Sequence, residues 1–342
     1  MRVLVVDSQA NAWDCFVQSA QDATAYHQFR WKTVITESFG HPCHYLGAVD
    51  NSGEWQGVLP LVHMRSKLFG NFLVSVPFVN YGGLLYKNDS AASILLEEAE
   101  RLRRVLGATH VELRQTGRSF EGIQTNLHKV TMFLDLAADI DSQWRAFDAK
   151  LRNQIRKAEK NGLQFVAGHL ELLDGFYSVF ARNMRDLGTP VYSKSFFRNI
   201  LEAFPYSTSI FAVYHETRMI AAGIGFWFRK TLEIPWASSI SDYKMLCPNN
   251  MLYWEAIRFA IRNGLARLDF GRSTPNQGTY NFKKQWGAEP VQLYWQYLTD
   301  NRNRMPDLSP SNPRYQAAIR FWQRLPLPAT RLLGPMIVRN IP

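Results

Sequence analysis

One supersecondary order runs through this chain twice, and it constrains the fold more than any single motif does. From about residue 43, two or three strands lead through a loop to an amphipathic helix and a closing strand. From about residue 208 the same order begins again. In the first copy, residues 44–49, 55–64 and 72–79 read as strands, 91–106 as the helix and 110–114 as the closing strand. In the second, residues 209–215, 219–228 and 231–240 are the strands, 250–263 the helix and 266–270 the closing strand. The helix exits also correspond: Arg104-Val-Leu-Gly-Ala-Thr-His-Val-Glu-Leu113 stands beside Arg262-Asn-Gly-Leu-Ala-Arg-Leu-Asp-Phe270. A repeat of this length predicts two tandem domains of one α/β (α+β) fold, each a mixed sheet flanked by helices. A length of 342 residues suits two cores better than one. The expected segments are 1–138, 139–300 and a basic tail, 301–342. The first boundary falls near Leu136–Asp141, where a strand-like run ends and a long helix starts.

Lys and Arg total 39 against 29 acidic residues, a net charge of +10. That excess suits anionic partners such as phosphates, RNA or a membrane surface, and suits equally a basic surface with no such partner. Three cysteines, Cys15, Cys43 and Cys247, form no C-x-x-C pair, and an odd number argues against a disulfide framework. His41, Cys43 and His44 cluster, but at no zinc-type spacing, so strand packing and no metal are expected. Met1–Asp7 reads as a short strand rather than a signal peptide. Residues 68–86 carry no charge, but Gly70, Asn71, Pro77, Asn80, Gly82 and Gly83 suit a buried strand and turn better than a spanning helix. The chain is therefore expected to be cytoplasmic.

Two regions carry the functional signal. In Leu265–Pro290 a strand ends at Asp269, Gly271 turns the chain, and a short helix begins near Thr279. Strand ends of α/β folds gather ligand groups. Asp269 can take a proton or hold an amine, and Arg272 and Lys283 can hold phosphate or carboxylate. Ser273 and Thr279 can donate hydrogen bonds, and Tyr280 stands beside them. The structural alternative makes Asp269 and Arg272 an internal ion pair and Tyr280, Phe282 and Trp286 plain core. Asp269-Phe-Gly imitates a kinase motif, but no glycine-rich loop or H-R-D catalytic loop accompanies it. The second region is Lys150-Leu-Arg-Asn-Gln-Ile-Arg-Lys-Ala-Glu-Lys-Asn-Gly162. Here Arg152, Arg156 and Lys160 line one helix face at i, i+4 and i+8. With Asn153 and Lys157 they either grip a diphosphate or RNA backbone or form a solvated face. The tail from Asn301 has seven Arg and one acid, Asp307, interleaved with Trp322, Leu332, Leu333 and Ile337. It suits peripheral contact with an anionic membrane surface, or a strap across the domains broken up by Pro326, Pro328 and Pro335.

Val58-Leu-Pro-Leu-Val62, Leu68-Phe-Gly-Asn-Phe-Leu-Val-Ser-Val-Pro-Phe-Val-Asn-Tyr-Gly-Gly83, Asp269-Phe-Gly-Arg-Ser273 and Gly278-Thr-Tyr-Asn-Phe-Lys-Lys-Gln-Trp-Gly-Ala288 resemble FemAB-like proteins. Within that group the chain is most similar to members associated with exosortase (PEP-CTERM) and exopolysaccharide systems. The resemblance implies two tandem domains of the GNAT acyltransferase fold. Its best-known members move an amino acid from aminoacyl-tRNA onto a peptidoglycan precursor; others are assigned as acyl-CoA transferases by fold. It also implies that the donor's pyrophosphate rests at the start of the helix after the fourth strand, here Leu246-Cys-Pro-Asn-Asn250. Asn249 is then the N-cap, and Asn250 and Met251 offer free N–H groups. The glycine-rich turn of CoA-binding members is missing, as is the paired-helix arm of some FemAB-type enzymes. The basic helix resembles the one opening the family's second domain, which implies that Arg152 and Arg156 meet a phosphorylated or glycan-type acceptor. In the first copy, Arg114-Gln-Thr-Gly-Arg-Ser119 keeps Gly and Arg but lacks the acid and the Phe-Lys-Lys helix. Tyr81-Gly82-Gly83 is either an acceptor wall or a tight hairpin.

These readings lead to an acyl or aminoacyl transferase of envelope or exopolysaccharide biosynthesis, with acyl-CoA or aminoacyl-tRNA as donor. An acceptor amine or hydroxyl attacks directly, with Asp269 as base and Lys283 or a backbone N–H stabilising the oxyanion. The competing class is a catalytically inactive GNAT-like scaffold for a polysaccharide export or exosortase locus. An open slot leading to Asp269 favours the enzyme, and a slot filled by Trp286 and Tyr280 favours the scaffold. A nucleic-acid-binding protein is the weakest reading, because no reading helix is recognised.

Overall fold

The computed structural model describes residues 1–66, 69–300 and 313–341. In chain order the elements are β1 (Arg2–Val5), α1 (Ala10–Ser19), α2 (Trp31–Phe39), β2 (Cys43–Val49), β3 (Trp55–Ser66), β4 (Gly70–Ser75), β5 (Leu85–Tyr86), α3 (Asp89–Val105), β6 (Val111–Thr116) and β7 (Gln124–Asn126). There follow β8 (Val130–Asp135), α4 (Ile140–Ala146), α5 (Ala149–Lys160), β9 (Leu163–Gly168), α6 (Leu173–Asp186), α7 (Lys194–Ala203), β10 (Thr208–His215), β11 (Arg218–Phe228) and β12 (Thr231–Ser239). The last are α8 (Pro248–Arg262), β13 (Arg267–Ser273), α9 (Gly278–Lys284), β14 (Glu289–Leu298), α10 (Pro313–Arg324) and α11 (Leu327–Val338).

The described residues form two units: 1–130 with 291–300 and 339–341, and 131–290 with 313–338. The first unit's sheet runs β1-β2-β3-β4-β6-β14, with β5 on β3 and β7 on β14. The second unit's runs β8-β13-β12-β11-β10-β9. The repeat is visible in the topology. In each unit three antiparallel strands (β2, β3, β4; β10, β11, β12) lead through a helix (α3; α8) to a strand parallel to the third (β6; β13). A parallel neighbour needs such a crossover, because a hairpin can only reverse the chain.

Local chemistry fixes the crossover helices. The Asn88 side chain caps α3 by accepting from the Ala91 N–H. Ala91, Ala92, Leu95 and Ala99 then recur on one face and enter the first unit's core. In α8 nine of the first ten residues are buried, so this helix has little solvent face to keep polar. Between β11 and β12, Ile234 and Pro235 together oppose only Gly225, since Ile224 faces Trp236 and Phe226 faces Glu233. Pro235 has no N–H to give the ladder, so a bulge is where a strand tolerates it.

The segment after Pro290 departs from expectation. Expected within the second domain, residues 291–300 contribute to β14, which pairs antiparallel with β6 of the first unit, from Leu293↔Thr116 to Leu298↔Val111. Buried Gln296 fixes it there: its Oε1 accepts from the Phe120 N–H (2.8 Å), and its Nε2 donates to Phe120 O (2.8 Å) and Thr125 Oγ1 (3.0 Å). The division accordingly falls at 130/131 rather than near 138, and 291–300 join the first unit. Residues 301–312 of the expected tail, Asp307 included, lie outside the described residues, as does Leu68 of the charge-free run. Among the described residues no helix is long and apolar enough to cross a membrane, and no His/Cys/Asp/Glu group could hold a metal ion. Burial pushes the Cys43 thiol up to about 11, which suits strand packing.

Candidate active site

In both units the parallel strands part early. β4 and β6 pair at Leu73↔Val111 and Val74↔Glu112; β12 and β13 pair from Thr231↔Arg267 to Glu233↔Asp269. Beyond those points each pair opens into a V. The register makes Glu112 the counterpart of Asp269 and Arg114 the counterpart of Gly271. The first copy therefore holds an acid at this level, Glu112, which corrects the expectation that it lacks one: Gly117 is not the counterpart of Gly271.

What differs is the next residue on that face. Arg114 is 1% exposed and stands on the wall of a cavity in the first unit. Its Nε donates to Glu112 Oε1 (2.7 Å), its Nη1 to Val79 O (3.1 Å), and its guanidinium lies 4.6 Å from the Trp295 ring centre. Gly271 puts no side chain into the second unit's opening, and its φ of 73° is one that glycine adopts without strain.

The chemistry at this second opening is buried. Asp269 has no exposed surface. Its Oδ1 accepts from Thr131 Oγ1 on β8 (2.6 Å) and from the Gly271 N–H (2.8 Å). Lys283, on α9, is also buried; its Nζ donates to Gly271 O (2.8 Å) and Arg272 O (3.0 Å). Burial pulls the Lys283 ammonium down to about 8, against the carboxylates of Asp269 and Glu233, which raise it. Arg272 adds a smaller lowering effect. Lys283 fastens the end of β13 through these two carbonyls, with the carboxylates of Asp269 and Glu233 favouring its charged form. A general base needs a lone pair that the acceptor can reach. Asp269 is instead placed to hold Lys283 and the Gly271 turn.

Ser273, at the end of β13, is 3% exposed, and its Oγ has no hydrogen-bond partner among the described residues. The Trp286 Nε1 is likewise buried and unpartnered. Trp286 itself is core: its ring lies 5.4 Å from Phe147 and 6.2 Å from Phe270 and Tyr253. Thr279 is exposed and Tyr280 half-buried, both in the first turn of α9, whose N-cap is Gln277.

The start of α8 corrects an expectation. Its N-cap is Cys247, in the left-handed conformation (φ 59°), with Pro248 in the first turn. Asn249 is thus inside the helix. The N–H groups of Asn250 and Met251 are not free, since both donate to Cys247 O (3.1 and 3.3 Å). Proline favours the first helical position because it has no N–H to leave unpaired there, and that moves the helix start two residues earlier. The Asn250 side chain is buried, and its Nδ2 donates to Gln154 Oε1 on α5 (3.1 Å).

Helix α5 begins at a cap, Asp148, whose side chain accepts from the Leu151 N–H (2.6 Å). It buries Leu151, Ile155 and Ala158. Arg152 is half-buried, with its Nε unpartnered among the described residues; Arg156 and Lys160 are exposed. The Arg156 guanidinium lies 5.3 Å from the Trp144 ring centre, which holds that side chain close to the helix. Tyr81 belongs to the first unit. It is buried edge-on to Tyr26 (5.6 Å) and lines a cavity with His27, Gly82, Gly83, Gln115 and Arg118. A Cβ on Gly83 would run into the Gln115 side chain and Arg114 O, so only glycine fits this wall. His27 Nε2 lies 3.2 Å from Gly83 O, and burial pushes its imidazole down to about 4. It therefore stays neutral at physiological pH.

Thr131, Glu233, Cys247 and Gln154 escape the sequence reading. Pro248 marked the helix start, and Glu233 stood out as an acid within an apolar strand. Nothing marked Thr131 or Gln154, which depend on tertiary pairing.

Residues 145–284, which contain α5 to α9, match the acetyltransferase (GNAT) domain family. No curated protein matches the chain. Among solved structures, FemX is similar at a TM-score of 0.68 and 16% identity, over 93% of this chain and 100% of that one. The C-terminal domain of a putative lysylphosphatidylglycerol synthetase from Agrobacterium fabrum is similar at 0.57 and 11%, over 84% and 91%. A tandem GNAT protein from the clavulanic acid biosynthesis pathway is similar at 0.56 and 10%, over 89% and 99%. At these identities the likeness is one of fold, the GNAT fold that the resemblance implies, in the two copies that the repeat predicts.

Proposed function

We propose that this chain is an acyl or aminoacyl transferase of GNAT type, serving cell-envelope or exopolysaccharide biosynthesis from the cytoplasmic side. The observation that carries the reading is the difference between the two openings. Past the last paired residues the first unit carries buried Arg114 where the second carries Gly271, with Lys283 bonded to its carbonyl, and the match to the acetyltransferase family covers the unit with Gly271. The transfer is a direct attack by an acceptor amine or hydroxyl on a bound thioester or ester. Such a reaction depends on positioning and on stabilising the oxyanion. Lys283 fixes the carbonyls of Gly271 and Arg272, and Asp269 keeps Lys283 in place, so Asp269 is a positioning residue in this scheme. Acyl-CoA and aminoacyl-tRNA are the candidate donors. The bonded N–H groups at the start of α8 weigh against a CoA pyrophosphate cradled there. On the acceptor side, Arg152 and Arg156 suit a phosphorylated or glycan-type group, and the Tyr81 cavity supports the acceptor-wall reading.

Calorimetric titration with acetyl-CoA and, separately, with a charged aminoacyl-tRNA tests the donor. Saturable binding of one alone supports the transferase and identifies its donor class. Asp269→Asn is then expected to cut turnover while preserving the fold, because an amide still accepts from Thr131 but no longer balances Lys283. Normal turnover in a folded Asp269→Asn protein would sink the assignment.

A scaffold without chemistry, serving a polysaccharide export or exosortase locus, is the second reading. It is favoured by the complete burial of Asp269 and by Trp286 packing beneath the opening. Binding of neither donor supports it.

A further inference from the structure

The two helices after β14 hold large apolar side chains out in water. On α10 the inner face is Trp322, Ile319 (against Gly188) and Gln323, whose Nε2 donates to Asp186 O (3.1 Å). Its other face carries Phe321, 66% exposed, beside exposed Arg320 and Arg324. On α11, Thr330, Gly334 and Val338 face inward at i, i+4 and i+8, and Gly334 sits so close to Val191 that a Cβ would meet its backbone. Arg331 also turns inward, donating to Ser178 Oγ (3.2 Å). The outward face of α11 is Leu332 (72% exposed), Leu333 (42%) and Met336 (65%). The helix is thus apolar on both sides, although only one is covered among the described residues.

Charge identifies what covers the other. Residues 313–341 contain five Arg and no acid, so half of the chain's excess of +10 lies in 29 residues. A second copy of this surface is a poor occupant. A two-fold contact would set the same arginines against one another with no carboxylate among these residues to pair them. An anionic lipid surface meets both requirements, accepting apolar side chains at the acyl boundary and arginines at the phosphates. A twelve-residue helix is too short to span a bilayer, so α11 would lie in the plane of the interface.

We propose that α10 and α11 dock this unit on an anionic membrane surface through Phe321, Leu332, Leu333 and Met336, with Arg320 and Arg324 meeting lipid phosphates. The proposal holds whether the chain is a transferase or a scaffold.

The test is co-sedimentation of the full chain with vesicles of phosphatidylglycerol and phosphatidylcholine, or of phosphatidylcholine alone. The protein is expected to partition about tenfold more strongly onto the anionic vesicles at about 0.1 M salt and to be released near 0.5 M. Leu332→Glu/Met336→Glu and Arg320→Glu/Arg324→Glu alter exposed side chains, so unchanged thermal midpoints are expected, with partitioning down about tenfold in each. The proposal fails if the natural chain ignores anionic vesicles or if both folded variants bind as it does. It fails equally if the patch instead forms a concentration-dependent dimer that Leu332→Glu dissolves.

Discussion

A single side chain separates the two copies of the fold at their most informative level. Where pairing ends after Glu112, Arg114 follows on that face; where it ends after Asp269, Gly271 follows, and Lys283 reaches in from α9 to its carbonyl. That lysine makes a pH prediction with a definite sign. Its folded value, about 8, lies below its ordinary value of 10.5, so between them the unfolded chain binds the extra proton. Stability contributed by this group therefore rises with pH across that window, by an amount on the order of 3 kcal/mol, and below about 8 the burial penalty is felt in full. Urea unfolding of Lys283→Met beside the natural protein should give a difference curve that slopes from pH 8 to 10.5. A flat difference would mean that Lys283 is not buried as described. Asp269 and Lys283 were legible in the sequence because a charged residue within a mostly apolar strand, and another on the following short helix, stand out. Thr131 was not, since it meets Asp269 from 138 positions away and only the β8–β13 neighbourhood brings them together.

At the scale of elements the sequence is a good guide to interiors and a weaker one to ends. The strands and helices shared by the two copies lie where the sequence reading puts their interiors, but β4 ends at Ser75 rather than at 79, and β5 is an addition to that reading. The start of α8 was misread because Asn249 is a better capping residue than Cys247 by side-chain chemistry, while Pro248 decides the matter by backbone chemistry. Caps that rest on an acid are easier to see, and Asp148 is one. Asp148→Ala should lower stability by about 1 kcal/mol, read as a drop in the thermal midpoint. It should also speed hydrogen exchange in the first turn of α5, the turn that carries Arg152. An unchanged exchange rate there would show that packing of Leu151 and Ile155, rather than the cap, sets that turn.

At the scale of the whole chain the decisive feature is β14. In the sequence reading its residues belong to the second domain, whereas it extends the first unit's sheet along β6. A chain ending at Pro290 should therefore leave β6 with an open edge and Arg114 without the Trp295 ring. We expect its amides over Val111–Thr116 to lose protection from hydrogen exchange by about 10² or more, with aggregation on warming. Retained protection would show that β6 needs no partner on that side. The sequence by itself determined the two copies of one α/β unit, the elements within them, and the concentration of arginine beside apolar residues in the tail. These are properties of neighbours along the chain, written in periodicity, caps and composition. The tertiary structure alone decided that 291–300 pair with the first unit, that Asp269 is buried against Thr131 rather than open to an acceptor, and which face of α11 stays exposed among the described residues. Each depends on residues far apart in sequence, and a local pattern holds no record of which distant strand or helix supplies the remaining hydrogen bonds and buried surface.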